Sequence, residues 1–518
     1  MSASMDRWRR ELARVPLLQV ASLVALFVWL HVYRLPLGYQ PEWAYRTNLQ
    51  AWPVIWLLPC VILTVTSAAI CAGLVGPISR SSGWKLRAFV ALLLCVLFLS
   101  LLGLQVSLLS IYPFWLRDGI AYQMSDVSTG YLAEAYRIED IRAYTGAYTE
   151  VREGLPQHLA TRGPGLVLFY YGLRSIAERQ PDAVAAMTEW VLRQAGETRA
   201  SVLAYAGQFP GAPGVPAEGV GVALMAGVAT MVSSAAAATV VLAVLLIRAG
   251  SKPNRVYAAV TAAALVGLSP ACLLFPQCPD MYVVLASGVC FAVLCSRQLR
   301  FVHGLCVGAV MLAGMLTSLS TIAILASTML GLAIAALASP APERRRAAAP
   351  LLGVLAGFAL ALVACRAAGI PLAATLSGAL SAHSGIAGAL SHRHYGVWVW
   401  GNLVEWSVFC GLPTAVLVAW RARALMRAAL TPEHPWTVPA ALGVSALICL
   451  LAIDLVGVVR GETGRILAPL MLPAIAAAIY APHEDERRWE HLPALTLLLV
   501  LAQNCVMSLA MQPVNTPY

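Results

Sequence analysis

The sequence has few charged residues. Asp, Glu, Lys and Arg make up 12% of its 518 residues, whereas hydrophobic residues make up 59%. A soluble globular domain carries about 25% charged residues, so this composition argues against that class of protein. A cleavage site of small residues after the first apolar stretch is also missing, and we interpret residues 15–35 as a retained helix rather than a signal peptide.

Two further sequence patterns are absent. The chain has 12 cysteines but no Cys-x-x-Cys pair, so neither a zinc knuckle nor a dithiol redox motif is indicated. Most of the cysteines lie in apolar stretches, where a buried thiol behaves as a small apolar side chain. No repeat at a fixed period is evident either, which argues against solenoid and propeller folds.

Long apolar runs dominate what is present. Many exceed about 18 residues, the length at which a helix crosses about 30 Å of hydrocarbon. Residues 441–459 do not alternate as a barrel strand would, and backbone groups in lipid must pair internally. The sequence therefore predicts an all-α polytopic membrane protein with about thirteen transmembrane helices. We place them at 15–35, 51–78, 87–112, 219–247, 256–274, 280–296, 299–317, 319–338, 348–365, 397–420, 438–459, 465–480 and 491–511.

The net charge of +10 follows from membrane topology and does not indicate a nucleic-acid partner. With the N-terminus inside, the short arginine-rich loops lie on the cytoplasmic side, as the positive-inside rule requires. Fusing 299–317 with 319–338 would break that pattern, so we predict two helices divided at Ser318. The opposite, external face then receives the long segment 113–218, whose amphipathic helices we expect along the membrane surface.

Unusual polar residues gather on this external face. Asp126 follows the third span and Asp280 begins the sixth. Two clusters precede the tenth and twelfth spans: His392, Arg393, His394 and Tyr395, then Arg460, Glu462 and Arg465. Together they suit a reaction in which a carboxylate takes a proton from an attacking hydroxyl while cations hold a leaving phosphate.

Each of these residues also has a purely structural interpretation. Ser125 or Asp126 suits a helix N-cap, and Asp280 suits the positive end of a helix dipole. The His-Arg-His-Tyr cluster suits interfacial anchoring, and residues 460–465 suit a tight turn with an Arg–Glu pair. Within the spans, we expect Glu405 and Asp454 to face a protein partner or a water-filled cavity.

The order and spacing of these features resemble the GT-C superfamily of membrane glycosyltransferases, in particular the protein O-mannosyltransferase and lipid A aminoarabinose transferase branch. A span at 87–112 precedes a long segment with the early acid Asp126. Residues 158–170, HLATRGPGLVLFY, are similar to the family's HxPGxxLFY-type stretch, and a second acid, Asp280, follows later. The stretches HRHYGVWVWGN and RGETGRILAPLMLP also resemble bacterial members. The resemblance covers roughly residues 87–480.

This resemblance implies an enzyme that transfers a sugar, with inversion, from a polyprenyl-phosphate donor to a lipid, glycan or protein hydroxyl. The reaction would occur at the periplasmic or extracellular face of a bacterial plasma membrane. Asp126 would be the general base, and Arg465 would hold the phosphate with Glu462 orienting it. The implied substrate-binding residues are His158, Arg162, Asp280, His392, Arg393, His394, Tyr395, Arg460, Glu462 and Arg465.

A metal site is weakly indicated. In some relatives the second acid binds a divalent metal, so Asp126 and Asp280 would be the ligands of Mg²⁺ or Mn²⁺ here. Many relatives carry two adjacent acids in the first loop, whereas Ser125 and Val127 flank Asp126. Since hard cations need several oxygen ligands, this difference argues against a metal, and the sequence implies no other cofactor.

The resemblance also divides the chain into three parts. Residues 1–86 would form a cytoplasmic tail and two additional helices, 87–365 a seven-span module that includes 113–218, and 366–518 an external loop with the C-terminal helices. Two other classes of function stay open. A multi-pass transporter or lipid flippase is suggested by Glu405 and Asp454, and a non-catalytic assembly factor predicts external charges that pair with each other and leave no cavity.

Overall fold

A computed structural model gives the conformation of most of the chain. The residues it describes are 2–33, 37–39, 43–45, 58–112, 114–126, 130–209, 212–250, 252–275, 278, 280–295, 299–337, 341–389, 393–429, 437–457, 459–480 and 491–510. Within these ranges the fold is helical except for two short antiparallel strands, β1 (Leu37–Tyr39) and β2 (Trp43–Tyr45). The predicted all-α class is confirmed.

The helices follow one another closely along the chain. The first group comprises α1 (Ser2–Phe27, continued by a π-helical turn at Val28–Val32), α2 (Leu58–Arg80) and α3 (Gly83–Leu109). The second comprises α4 (Trp115–Met124), α5 (Tyr131–Arg137), α6 (Ile141–Gly146), α7 (Tyr148–Val151), α8 (Gln157–Ala160), α9 (Gly165–Arg179), α10 (Pro181–Gln194) and α11 (Arg199–Ala206). The third comprises α12 (Gly219–Ala249), α13 (Pro253–Gly267), α14 (Pro270–Leu274), α15 (Asp280–Leu294), α16 (Phe301–Thr317), α17 (Ser320–Leu337) and α18 (Ala341–Ala367). The last comprises α19 (Leu372–Ala389), α20 (Tyr395–Cys410), α21 (Leu412–Ala429), α22 (Val438–Val456), α23 (Thr463–Ile466), α24 (Ala468–Tyr480) and α25 (His491–Ala510).

Eight helices in the described ranges are long and apolar enough to cross a membrane, which makes the chain a multi-pass membrane protein by length and composition. A ninth span is obtained if α20 and α21, which meet at a bend of 109°, are counted together. Helices α15, α16 and α24 are apolar but have only 13 to 17 residues. The number thirteen therefore stays a prediction.

The predicted division at Ser318 is present as a break between two helices. Helix α16 ends at Thr317, Ser318 is extended, and α17 begins at Ser320. The Ser318 and Ser320 hydroxyl groups lie 3.0 Å apart and are buried. Two helices, not one long tilted helix, thus occupy this part of the chain.

Helices α16 and α18 pack with their backbones in close contact. Gly304 and Gly308 lie four residues apart on α16, and Gly353 and Gly357 lie four apart on α18. A Cβ atom at any of the four would collide with the backbone of the opposite helix. Small residues at this spacing let membrane helices approach closely without a strong hydrophobic driving force between them.

Helices α4 to α11 form a separate layer, which we call the helical layer. Its apolar core includes Leu132, Tyr148, Leu192 and Val202, and it continues into the first turns of α12 through Val222. The amphipathic stretches predicted near 131–141 and 183–193 are helices here, at α5 and α10. Both pack against α9 and α12 and bury apolar side chains there.

Candidate active site

A buried carboxylate stands between two arginines where the helical layer meets α15. Asp280, the first residue of α15, is 1% exposed. Arg162 Nη1 lies 3.1 Å from its Oδ1, and Arg465 Nε lies 3.5 Å from its Oδ2. The Cys278 thiol donates a hydrogen bond to Oδ2 at 3.2 Å. Together with Glu462, we call these residues the arginine–aspartate cluster.

Two glycines place Arg162 in this cluster. The turn Arg162-Gly-Pro-Gly165 precedes α9 and rests on the end of α16. A Cβ atom on Gly163 would lie 2.6 Å from the carbonyl oxygen of Leu316, and one on Gly165 would lie 2.7 Å from it. The glycines therefore allow the backbone contact that holds Arg162 beside Asp280.

Arg465 reaches the cluster from the segment before α24. It lies in the short helix α23, and its Nη2 pairs with the Glu462 carboxylate three residues earlier. The predicted Arg–Glu turn is thus present. Because Arg465 also faces Asp280, one guanidinium joins both carboxylates of the cluster.

The cluster keeps its arginines charged. Burial alone lowers the pKa of Arg162, but the Asp280 carboxylate outweighs it and the net pKa is raised. Burial likewise opposes the charge of Arg465, while Glu462 and Asp280 raise its pKa well above the usual value. Burial and the Asp280 charge raise the pKa of Cys278 to about 12, so its sulfur is a neutral thiol at physiological pH.

Asp126 lies in the turn before α5 and has a different partner. Its Oδ2 lies 3.4 Å from Arg137 Nη2, and Arg137 also pairs with Glu134 at 3.2 Å. Asp126 Oδ1 is buried and accepts no hydrogen bond from the described residues. The N-cap interpretation of Ser125 or Asp126 is wrong, because the residue preceding α5 is Gly130 in the left-handed conformation.

One tyrosine connects the Asp126 turn to the cluster. Tyr131 follows Gly130, where an added Cβ would lie 3.5 Å from Asp126 Oδ1. Burial raises the pKa of Tyr131 to about 12, with Arg162 lowering it and Asp280 raising it. The Tyr131 hydroxyl is therefore neutral and within electrostatic reach of the cluster.

The two predicted basic clusters meet each other. Arg393 Nη1 donates a hydrogen bond to the carbonyl oxygen of Arg460, and Arg460 Nη1 donates to that of Arg393 at 3.0 Å. Tyr395 donates from its hydroxyl to the carbonyl oxygen of Leu455 at 2.6 Å. His394 immediately precedes α20. This pairing joins the start of α20 to the segment that carries Arg465.

Two other predicted site residues have no described side chain. His392 lies outside the described residues altogether, and His158 belongs to α8 with only its backbone described. Of the predicted residues, Arg162, Asp280, Glu462 and Arg465 meet in the arginine–aspartate cluster, and Arg393 and Arg460 meet in a separate pair.

Two residues of α20 hold the 460–465 segment, a role that the sequence did not indicate for either of them. On α20, Asn402 accepts the Gly461 backbone N–H at 2.9 Å through Oδ1 and donates to Asp454 at 2.9 Å through Nδ2. Glu405 Oε2 accepts both the backbone N–H and the hydroxyl of Thr463, at 3.3 and 3.2 Å. The available signal was an amide and a carboxylate three residues apart on an apolar helix. The expectation that Glu405 and Asp454 face protein rather than lipid is confirmed, since both are buried.

An apolar groove opens at the edge of the helical layer. A cavity of about 520 Å³ opens between α3, α4, α10 and α12, with Val106, Trp115, Trp190 and Val228 among its lining residues. Gln123 in its wall accepts a hydrogen bond from the Tyr170 hydroxyl at 2.8 Å. The Tyr170 ring stacks on Tyr131, with 6.1 Å between their centroids. A short chain of side chains therefore connects the groove to the arginine–aspartate cluster.

The residues present do not suit a metal ion. In the part of the chain that the structure describes, no three His, Cys, Asp or Glu side chains converge. Asp280 is already paired with two arginines and Asp126 with Arg137. Since a hard cation needs several oxygen ligands, the geometry gives no support to the predicted pairing of Asp126 and Asp280 on Mg²⁺ or Mn²⁺.

Comparison of the chain with known proteins gives no match. The chain matches no protein-family model, no curated protein and no solved structure. The resemblance to the GT-C superfamily stays a prediction from the sequence.

Proposed function

We propose that the protein is a membrane glycosyltransferase that moves a sugar from a polyprenyl-phosphate donor to an acceptor hydroxyl at the external membrane face. The observation that carries this proposal is the buried cluster of Arg162, Asp280 and Arg465, which Tyr131, Tyr170 and Gln123 connect to an apolar groove. A lipid-linked phosphate requires both features at once, a cationic site for the anion and an apolar surface for the chain.

The arginines suit a leaving phosphate. A guanidinium presents a planar fork of donors that matches phosphate oxygens, and such charge-assisted hydrogen bonds are about twice as strong as neutral ones. Arg162 and Arg465 stay protonated because neighbouring carboxylates raise their pKa values. Both arginines are thus protonated throughout the physiological pH range, and a phosphate oxygen that gains charge as it departs would be stabilised by their donors.

The groove suits the lipid part of the donor. It lies between α3 and α12, both long enough to cross a membrane. Its residues Val106, Trp190 and Val228 are largely exposed, which favours contact with an apolar chain. A prenyl chain in this groove would direct its phosphate toward the side lined by Gln123, which Tyr170 and Tyr131 connect to the cluster.

Asp126 is suited to act as the general base that accepts the proton of the acceptor hydroxyl. Arg137 engages one oxygen of its carboxylate, and the buried Oδ1 has no hydrogen-bond donor among the described residues. In the proposed step the acceptor oxygen bonds to the anomeric carbon while the bond from that carbon to the phosphate oxygen breaks. The hydroxyl proton passes to Asp126, and the phosphate leaves with the electron pair. A single displacement of this kind inverts the anomeric centre.

The test is sugar transfer by purified protein in lipid nanodiscs, with radiolabelled polyprenyl-phosphate sugars as donors. Asp126→Asn removes the base, and loss of general base catalysis costs about 10²–10⁴-fold in rate. The matched control is Asp182→Asn, since Asp182 is an exposed acid on α10 that we expect to leave transfer unchanged. Wild-type turnover by Asp126→Asn would remove Asp126 as the base.

A transporter or lipid flippase is the second candidate, favoured by the 109° break between α20 and α21 and by the buried Glu405 beside it. Broken helices with buried ionisable groups are common in transporters. In that case Glu405→Gln blocks flux and Asp126→Asn is tolerated. An assembly factor fits the mutual pairing of Arg162, Asp280 and Arg465, but it does not account for the apolar groove.

A further inference from the structure

Glu462 has a strained backbone. Its φ is 56°, and among the described residues it is the one non-glycine residue with a positive φ. A side chain in this left-handed region costs free energy that the surrounding structure must supply. Strain of this kind concentrates at ligand clamps and switch regions. The contacts of Glu462 therefore bear on whether this turn has a functional role.

Two residues of α20 hold the strained turn from either side. Gly461 donates its backbone N–H to Asn402 at 2.9 Å, and Thr463 donates its backbone N–H to Glu405 at 3.3 Å. The Thr463 hydroxyl bonds to Glu405 as well, and to the Asn402 carbonyl oxygen at 3.0 Å. Because both neighbours are fixed on α20, the backbone of Glu462 is set and its carboxylate is directed at Arg465.

The two carboxylates on Arg465 differ in their access to solvent. Asp280 is 1% exposed and is also bound to Arg162, whereas the Glu462 side chain is 28% exposed. Of the two, Glu462 has room to move away. With both carboxylates ionised, the two arginines and two acids leave no excess positive charge for an anion.

We propose that Glu462 is an internal stand-in for the phosphate of the donor. It occupies the Nη edge of Arg465 when the site is empty and gives way when a phosphate oxygen binds there. Its departure leaves one excess positive charge on the cluster and relieves repulsion between the Glu462 carboxylate and the incoming anion. This inference rests on the proposed function for its ligand, and it replaces the predicted orienting role of Glu462 with a competing one.

Phosphate affinity tests this inference without any transfer reaction. The probes are a polyprenyl monophosphate and inorganic phosphate, titrated calorimetrically into the purified full-length protein in detergent. Glu462→Gln removes the competing charge, and we expect it to bind the prenyl phosphate about tenfold more tightly than wild type. The control, Glu178→Gln, removes an exposed acid paired with Arg174 and should leave the affinity unchanged.

Further variants separate competition from damage to the fold. Glu462→Gly removes the carboxylate and also relieves the strain, since glycine adopts positive φ freely. It should bind prenyl phosphate at least as tightly as Glu462→Gln and melt at a higher temperature than that variant. Arg465→Ala, combined with either Glu462 variant, should abolish the gain in affinity for prenyl phosphate, which would show that Arg465 holds the anion.

The outcomes distinguish this inference from the proposed function. Unchanged or weaker phosphate binding by both Glu462 variants overturns the inference, even if wild type transfers sugar. Tighter binding in a protein that transfers no sugar supports the inference and counts against the glycosyltransferase. If neither probe binds wild type or any variant, Arg465 is no anion site and the inference is wrong.

Discussion

Replacing Asp280 by asparagine should destabilise the protein through charge rather than shape. The change keeps the size of the side chain but removes the negative charge that faces Arg162 at 3.1 Å and Arg465 at 3.5 Å. Both arginine side chains are about 15% exposed, so water compensates them poorly. Arg162 would then lose the carboxylate that it faces, and Arg465 would keep Glu462.

The size of the effect follows from this burial. Removing one partner of a buried ion pair costs about 3–5 kcal/mol. The amide oxygen of asparagine can still accept a hydrogen bond from Arg162, so we expect the lower end, about 3 kcal/mol. At an unfolding entropy of about 2.1 cal/mol/K per residue, a chain of this length would lose about 3 °C in melting temperature.

The assay is thermal unfolding in detergent, followed by tryptophan fluorescence. The chain has 14 tryptophans, and all variants must be heated at one scan rate because membrane proteins unfold irreversibly. Glu178→Gln is the control, since the Glu178 side chain is 56% exposed and an exposed pair contributes less than about 1 kcal/mol. If Asp280→Asn melts no earlier than this control, the cluster does not depend on the Asp280 charge and the reasoning fails.

Two more predictions concern other parts of the fold. Burial raises the pKa of Asp118 above 3.8, opposed by its contacts with Tyr112 and Arg117, so the folded state binds this proton more tightly than the unfolded chain. Stability should therefore fall as pH rises from about 4. Asp118→Asn should make the melting temperature less dependent on pH in this range. An unchanged dependence would contradict the raised pKa of Asp118. Gly353→Leu places a side chain against the backbone of Phe301 and should lower the free energy of unfolding by about 3 kcal/mol or more. The control, Leu352→Ala on the exposed side of α18, should change the melting temperature little. Equal effects of the two changes would exclude close packing of α16 on α18.

Local features of this protein follow from its sequence. Long apolar runs such as 219–249 predict helices because backbone groups in lipid must pair within their own segment. The turn at Arg162-Gly-Pro-Gly165 was predictable from the local effects of glycine and proline. The break at Ser318 was predictable from the distribution of arginines among the loops, which the positive-inside rule constrains. The number of helices long enough to span a membrane did not follow from the sequence, because α15, α16 and α24 are shorter than the apolar runs at 280–296, 299–317 and 465–480.

Only the tertiary structure decided which charges meet. Arg162 and Asp280 lie 118 residues apart, and nothing in the local sequence distinguishes Arg162 from Arg137 as the partner of Asp280. The structure gives Arg137 to Asp126 and Arg162 to Asp280. Such pairings depend on how whole helices pack, and that packing is set by apolar contacts over the entire bundle rather than by the charged residues themselves.

The strained turn at Glu462 illustrates the same limit. The sequence Arg-Gly-Glu-Thr-Gly-Arg predicts a turn with an Arg–Glu pair, and that pair is present. Its left-handed conformation is imposed by Asn402 and Glu405, about 60 residues earlier on α20. Local sequence therefore determined the elements and the kind of turn, whereas long-range packing determined the conformation and the charges that this turn presents.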